Sequence, residues 1–269
     1  MPCYHFSLRT VAPHMRQAHA ISDLERQQIA LAGTLGTDFR ADALGYLIAA
    51  RLREGSVVDI GCGAGDLVAW LGERDYDVRG IDVSESIVEA AREHLRSRGL
   101  DPTWIEQSSI EAFVGRGESA DNVVSMECLE HIEDDGSAFD SLVSAVRPGG
   151  RLILSVPAMP SLFGPKDVAV GHYRRYTTER LRALADRPDL RVEELRYWNL
   201  LGVAPTFVAV RLLGRAVDDS FRFGAPGLGK RLLRLGLSPW FRHVENRIAP
   251  PFGLTLVLVA TVLGKGERQ

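Results

Sequence analysis

Apolar and polar positions change rhythm along the chain, and the changes mark its elements. Ser56–Ile60 is a short apolar run ended by glycines and predicts a strand. Asp66–Arg74 has helical spacing, and Asp77–Ile81 predicts a second strand. Glu85–Arg98 sets Ile87, Ala90, Ala91 and Leu95 at helical intervals and stops at Gly99, a frequent residue just past a helix end. Thr103–Glu106 and Asn122–Met126 predict the third and fourth strands. Phe139–Val146 predicts a helix ended by Pro148-Gly149-Gly150, and Arg151–Val156 a fifth strand. Strands alternating with helices build a parallel, doubly wound sheet with helices on both faces.

The flanks differ. Residues 1–50 read as an amphipathic helical cap, with Ser22-Asp23-Leu24-Glu25 in capping-box spacing. Pro157–Arg175 reads as a proline-punctuated loop, Thr177 as the cap of a helix over Thr178–Asp186, and Arg191–Tyr197 as a sixth strand. Residues 199–247 mix apolar pairs such as Leu200-Leu201 and Leu212-Leu213 with arginines and predict a helical insertion. Ile248–Gly264 is almost free of charge, but it falls short of the ~20 residues a spanning helix needs. It contains Pro250 and Pro251 and then the β-rich run Leu254–Val262, which reads as a buried last strand. The expected organisation is a cap over 1–50, an α/β core over 51–198, an insertion over 199–247, and the last strand with the C-terminus over 248–269. No linker separates these parts.

Composition narrows the function classes. The formal net charge of −3 over 269 residues offers no basic surface that would advertise nucleic acid. Cys3, Cys62 and Cys128 are odd in number and far apart, which fits neither a disulfide framework nor a zinc site and suits a reducing cytoplasm. The N-terminus lacks the charged-then-apolar pattern of a signal peptide.

The sharpest chemical signal is Val57-Val58-Asp59-Ile60-Gly61-Cys62-Gly63-Ala64-Gly65-Asp66, a strand running into a glycine-rich turn and then a helix. Glycines there allow positive φ and close approach of a ligand. A dinucleotide site wants G-x-G-x-x-G; here the third glycine falls one residue early and Asp66 takes its place, where a carboxylate would repel pyrophosphate. Asp59 before the turn suits a cationic ligand instead. Asp82 ends the second strand in Gly80-Ile81-Asp82-Val83-Ser84, where a carboxylate can accept from both hydroxyls of a ribose.

With these residues the chain resembles the class I S-adenosylmethionine-dependent methyltransferases. VVDIGCGAGD is similar to their first motif and GIDVS to their second; the Asp121–Ile132 stretch resembles the fourth-strand motif and Arg147–Leu152 the turn before the fifth strand. The resemblance implies a seven-stranded, mostly parallel sheet with an antiparallel final strand, and S-adenosylmethionine as cofactor. It implies that Gly61, Gly63 and Gly65 flank the amino-acid part of the cofactor, that Asp82 binds ribose, and that Val83 touches adenine. Met126 falls among the cofactor contacts. Where the family often has an acid bonding the adenine amine, this chain has Ser109 beside Ile110, so that contact would pass to the backbone.

Methyl transfer asks the protein for alignment, water exclusion and sometimes a base. His131, just beyond the fourth strand, and His172, in Gly171-His172-Tyr173-Arg174-Arg175-Tyr176-Thr177, are the candidate bases. The second segment resembles a G-H-x-R-x-[YF] stretch of a bacterial subgroup of small-molecule methyltransferases; Tyr173, Arg174, Arg175 and Tyr176 are expected to contact substrate. Glu127, Glu130 and His131 form E-x-x-E-H, similar to a pattern of ubiquinone-pathway O-methyltransferases that can hold a divalent metal; the same letters occur in metal-free relatives, and no metal is expected here. The insertion at 199–247 reads as a substrate lid, a homodimer surface, or a basic amphipathic face on a membrane.

The expected activity is methyl transfer to oxygen or nitrogen of a small molecule. Other readings stay open: a peptide or protein methyltransferase, a nicotinamide-dependent oxidoreductase disfavoured by Asp66, or a non-catalytic binding protein. A nucleic-acid amino-methyltransferase would carry [DNS]-P-P-[YFW] where this chain has Met126-Glu127-Cys128-Leu129.

Overall fold

The computed structural model describes residues 39–214 and 237–264. The Ser22–Glu25 capping box and residues 215–236 of the insertion lie outside the described residues. In chain order the elements are α1 (Phe39–Ala49), β1 (Val57–Ile60), α2 (Asp66–Gly72), β2 (Val78–Asp82), α3 (Glu85–Ser97), β3 (Ile105–Gln107), α4 (Ile110–Gly115), β4 (Ala120–Met126), α5 (Asp135–Ser144), β5 (Val146–Pro157), α6 (Pro165–Ala169), α7 (Thr178–Ala185), β6 (Leu190–Trp198), α8 (Val203–Phe207) and β7 (Thr255–Val262). The chain continues from α8 as a π-helical turn over Val208–Leu212, and another π-helical segment covers Trp240–Glu245.

All seven strands join one sheet in the order β3-β2-β1-β4-β5-β7-β6. Pairs among β1–β5 are parallel, and β7 runs antiparallel between β5 and β6. The reversal between β1 and β4 makes a crevice beyond their carboxyl ends, the usual ligand position in such sheets.

Side-chain alternation builds a core on each face. Val58, Val123, Leu152, Leu154 and Leu258 pack with Phe113 of α4, Phe139 of α5 and Leu181 of α7. Their chain neighbours Val57, Val124, Ile153 and Val257 pack on the other face with Leu47 of α1, Leu71 of α2 and Leu95 of α3. β7 is buried along its whole length. Strands pair on both its sides and satisfy its backbone, so its unbroken apolar run belongs to an interior strand.

The structure differs from the sequence pattern in three places, the first being β5, which starts at Val146 and runs through Pro148-Gly149-Gly150, the triplet read as a helix end. That pattern does not predict α4, yet Ser109 caps it by accepting from the Ala112 amide at 3.1 Å. Within the proline-rich stretch, Pro165 opens the short helix α6, its missing N–H costing nothing in a first turn.

Candidate active site

β1 delivers the chain to the glycine turn. Gly61 has φ +72°, and a Cβ there would stand 2.3 Å from Cys128 Sγ, so both conformation and space demand glycine. Gly63 has φ +53° and nothing within 4 Å of where a Cβ would point: the turn opens onto free space. Gly65, also at positive φ, is the N-cap of α2. The loop after β2 closes on this turn. Asp82 accepts from the Gly63 amide at 3.1 Å and from the Ser84 amide at 3.1 Å.

Asp59 is the unusual member. It is 3% exposed, and its Oδ1 is buried with no hydrogen-bond partner. Burial, helped by the charge of Asp82, raises its carboxyl to about 7. A buried carboxyl with one oxygen lacking a partner, on the strand that leads into an open glycine turn, fits a ligand that brings a positive charge or a donor. Val83 is largely exposed, Met126 is half-buried at the end of β4, and Ile110 is buried. The Ser109 hydroxyl accepts from the Ala112 amide and keeps its own O–H for another partner.

The neighbouring edge carries the titratable groups. Glu127, Met159 and Asn199 adopt positive φ directly after β4, at the loop following β5, and after β6. Non-glycine residues held there are uncommon, and such strain gathers at functional edges. The bend at Glu127 aims the next residues inward. Glu130 is fully buried with both carboxylate oxygens unpartnered. Burial, then the nearby Glu127 charge, pushes its carboxyl well above the usual range. The His131 and His172 rings meet edge to face with centroids 4.6 Å apart. Burial and the second imidazole lower His131 to about 4, against a hydrogen bond to the Gly171 backbone. Glu130, His131 and His172 each place a ligand atom within 4.8 Å of the others, so among the described residues this group has the spacing to hold a cation. The set differs from the Glu127–Glu130–His131 grouping read from the sequence.

The structure brings His131 and His172 together, but it reassigns most of the segment after His172. Arg174 donates to the Ile132 and Glu133 carbonyls at 2.6 Å each. Arg175 is held by Asp167 at 2.8 Å and by the Ala158 carbonyl. Both guanidiniums therefore serve the protein and form no free anion clamp. Tyr176 is fully buried and donates to Asp135 at 3.0 Å, where Arg180 also binds, so its ring packs in the core. Only Tyr173, 54% exposed, presents its ring outward. Tyr176→Phe should cost roughly 1–2 kcal/mol, because it strips one partner from a buried carboxylate that keeps another. Urea unfolding measures this; wild-type stability with lost turnover would return Tyr176 to the substrate.

Sequence reasoning missed Asp167, 2% exposed and bonded to His172 Nδ1 at 3.0 Å. Its signal is faint: an acid at the third position of a helix opened by a proline.

Residues 57–150 match the methyltransferase domain family. Over 100 residues the chain is 37% identical to the ubiquinone biosynthesis O-methyltransferase of Stutzerimonas stutzeri, covering 37% of this chain and 43% of that one. The enzyme of the same name from Alkalilimnicola ehrlichii is 33% identical over 122 residues, 45% of this chain and 47% of its own length. The chain thus spans less than half of these curated relatives. Among solved structures, a chain of a Haloferax volcanii complex of a methyltransferase and its activator superposes with a TM-score of 0.57 at 17% identity, covering 91% of this chain and 98% of that one. The plantazolicin methyltransferase BpumL, solved with SAH, gives 0.53 at 12% identity over 90% and 89%. The fold is the class I methyltransferase fold. A structure described as a [4+2]-cyclase, SpnF, shares it at a TM-score of 0.53 and 19% identity, over 83% of this chain and 82% of its own, so the fold alone does not name a reaction.

Proposed function

We propose that this chain transfers a methyl group from S-adenosylmethionine to an oxygen or nitrogen of a small molecule. The observation that carries the reading is the buried Asp59 carboxyl, its Oδ1 without a hydrogen-bond partner, near the end of the strand that enters an open positive-φ glycine turn braced by Asp82. The family match over 57–150 and the O-methyltransferase names of the relatives support it. When bound, S-adenosylmethionine supplies an activated methyl on a sulfonium. Asp59 offers it a counter-charge, Gly63 leaves room for it, and Asp82 holds the turn and presents a carboxylate at the ribose position. His131 and His172 lie at the same sheet edge, beyond β4 and β5, and supply an imidazole for the acceptor's proton. Calorimetric titration with S-adenosylhomocysteine tests the reading. Asp82→Ala should weaken binding by about 10- to 150-fold, the equivalent of roughly 1.5–3 kcal/mol for lost charge-assisted hydrogen bonds. Equal affinities would remove Asp82 from the site, and binding of NAD in its stead would overturn the function.

We further propose that turnover needs no metal, because an activated methyl leaves without a Lewis acid. Activity should survive exhaustive chelation. Loss restored by Mg²⁺ or Mn²⁺ would make Glu130, His131 and His172 ligands.

For the insertion, the lid reading has the best support. Val210 lies against Gly164, the N-cap of the helix α6 that carries Asp167, since a Cβ on Gly164 would stand 3.0 Å from Val210 Cγ1. Phe207, Val208, Leu212 and Leu213 leave an apolar face exposed, which suits an apolar substrate. Among the described residues no helix is long and apolar enough to cross a membrane.

A further inference from the structure

We propose that Asp167, anchored by Arg175, is a positioning residue that fixes the tautomer of His172 and so makes His172, and not His131, the group that receives the acceptor's proton. This rests on the methyl-transfer reading above and assigns the roles within its site.

Three donors converge on the Asp167 carboxylate. Oδ1 faces His172 Nδ1 at 3.0 Å and accepts from Arg175 Nε at 2.8 Å; Oδ2 accepts from the Gly164 amide at 2.9 Å. Burial alone would raise this carboxyl, but the hydrogen bonds from His172 and Arg175 outweigh it and hold the group below its ordinary range. An ionised carboxylate only accepts, so the ring hydrogen of neutral His172 sits on Nδ1 and the Nε2 lone pair is free. The ring cannot drift. The His172 amide donates to the Asp167 carbonyl at 2.8 Å, the Tyr173 amide to the Glu130 carbonyl at 2.8 Å, and Arg175 ties the assembly to the Ala158 carbonyl at the end of β5.

His172 Nε2 points into the cluster, 3.7 Å from Glu130 Oε1 and past hydrogen-bond reach of it. His131 has the Gly171 backbone for a partner in place of a buried carboxylate, and its burial keeps it neutral. The two imidazoles therefore differ in what would stabilise a charge: a proton arriving at His172 is met by Asp167, while one arriving at His131 is opposed by burial and by its neighbour. In the step, His172 Nε2 takes the acceptor's proton as that atom gains the methyl and the carbon–sulfur bonding pair returns to sulfur. The resulting imidazolium stays against the Asp167 carboxylate until the proton passes to solvent.

The test is long-range ¹H–¹⁵N correlation spectroscopy on ¹⁵N-histidine-labelled protein, with and without S-adenosylhomocysteine. The wild type should show His172 as the Nδ1–H tautomer. Asp167→Asn has one carbonyl oxygen for three converging donors and should shift the ring toward the Nε2–H tautomer, with S-adenosylhomocysteine affinity retained. Wild-type His172 carrying its hydrogen on Nε2 would overturn the proposal without any variant. So would an Asp167→Asn protein in which the Nδ1–H tautomer persists. Failure of the wild type to bind S-adenosylhomocysteine would instead strike the underlying methyl-transfer reading, a separate result from the same samples.

Discussion

Replacing His172 with asparagine should lower turnover by about 10²–10⁴-fold, the usual contribution of a positioned base, and leave S-adenosylhomocysteine affinity nearly unchanged. Asparagine is the informative choice because its amide can still donate to Asp167 from the Nδ1 position while nothing replaces the lone pair at Nε2. The hydrogen bond that anchors the loop is thus retained and the proton acceptor is lost. His131→Asn is the companion. His131 is held neutral, with its charged form disfavoured down to about pH 4, so its loss should alter packing against the His172 ring and cost far less turnover. The comparison uses an acceptor identified by screening with radiolabelled S-adenosylmethionine. A reversed order, with His131→Asn crippled and His172→Asn active, would exchange the two roles. Parallel loss of stability and activity in both would leave the rings as packing alone.

The part of this site legible in the sequence is the part built by neighbouring residues. Strand, glycine turn and helix succeed one another from Val57 to Gly72, so the cofactor edge is written in local order. Thr177 caps α7 through a side chain three residues from the amide it satisfies, as the sequence pattern indicates; the cap of α3 by Ser84 came from the structure. The illegible part depends on distant partners. Tyr176, Arg174 and Arg175 have the composition of a substrate wall, and composition is the same whether such groups face a ligand or the protein. Their partners are Asp135, the Ile132 and Glu133 carbonyls, and Asp167, set by tertiary packing. Glu130 reads as one acid among several in Glu127–Glu133; only the fold shows it buried without a hydrogen-bond partner for either carboxylate oxygen. β7 raises a membrane question that strand pairing on both edges answers.

Asp59 ties stability and binding together with opposite signs. Its carboxyl moves from an ordinary 3.8 to about 7 in the folded chain, burial being the larger cause and Asp82 the smaller. Between those values the folded state holds a proton that the unfolded state has released. The associated stability is complete below the unfolded value and is lost as pH rises through about 7, a span worth on the order of 4 kcal/mol. Asp59→Asn cannot titrate. Relative to wild type it should gain that span between pH 4 and pH 8; a buried amide without a partner costs roughly 1–3 kcal/mol at both, so the variant should melt at or below wild type near pH 4 and above it at pH 8. Binding should move the other way. A cationic ligand is met by the ionised carboxylate, so wild-type affinity for S-adenosylmethionine should rise with pH toward about 7, with a proton released on binding. That release appears in calorimetry as a dependence on the ionisation enthalpy of the buffer. Asp59→Asn should lose the affinity, its pH dependence and the proton release together. Melting curves across pH 4–8 and titrations in two buffers examine both signs. A variant that binds as tightly as wild type, with unchanged melting at pH 8, would show that the carboxylate neither strains the fold nor meets the ligand. Gain of stability with full affinity would keep the strain and place the ligand's charge elsewhere. The expected pair, a more stable protein that binds less, belongs to a fold that keeps a desolvated acid unpartnered so that a cation can pair with it.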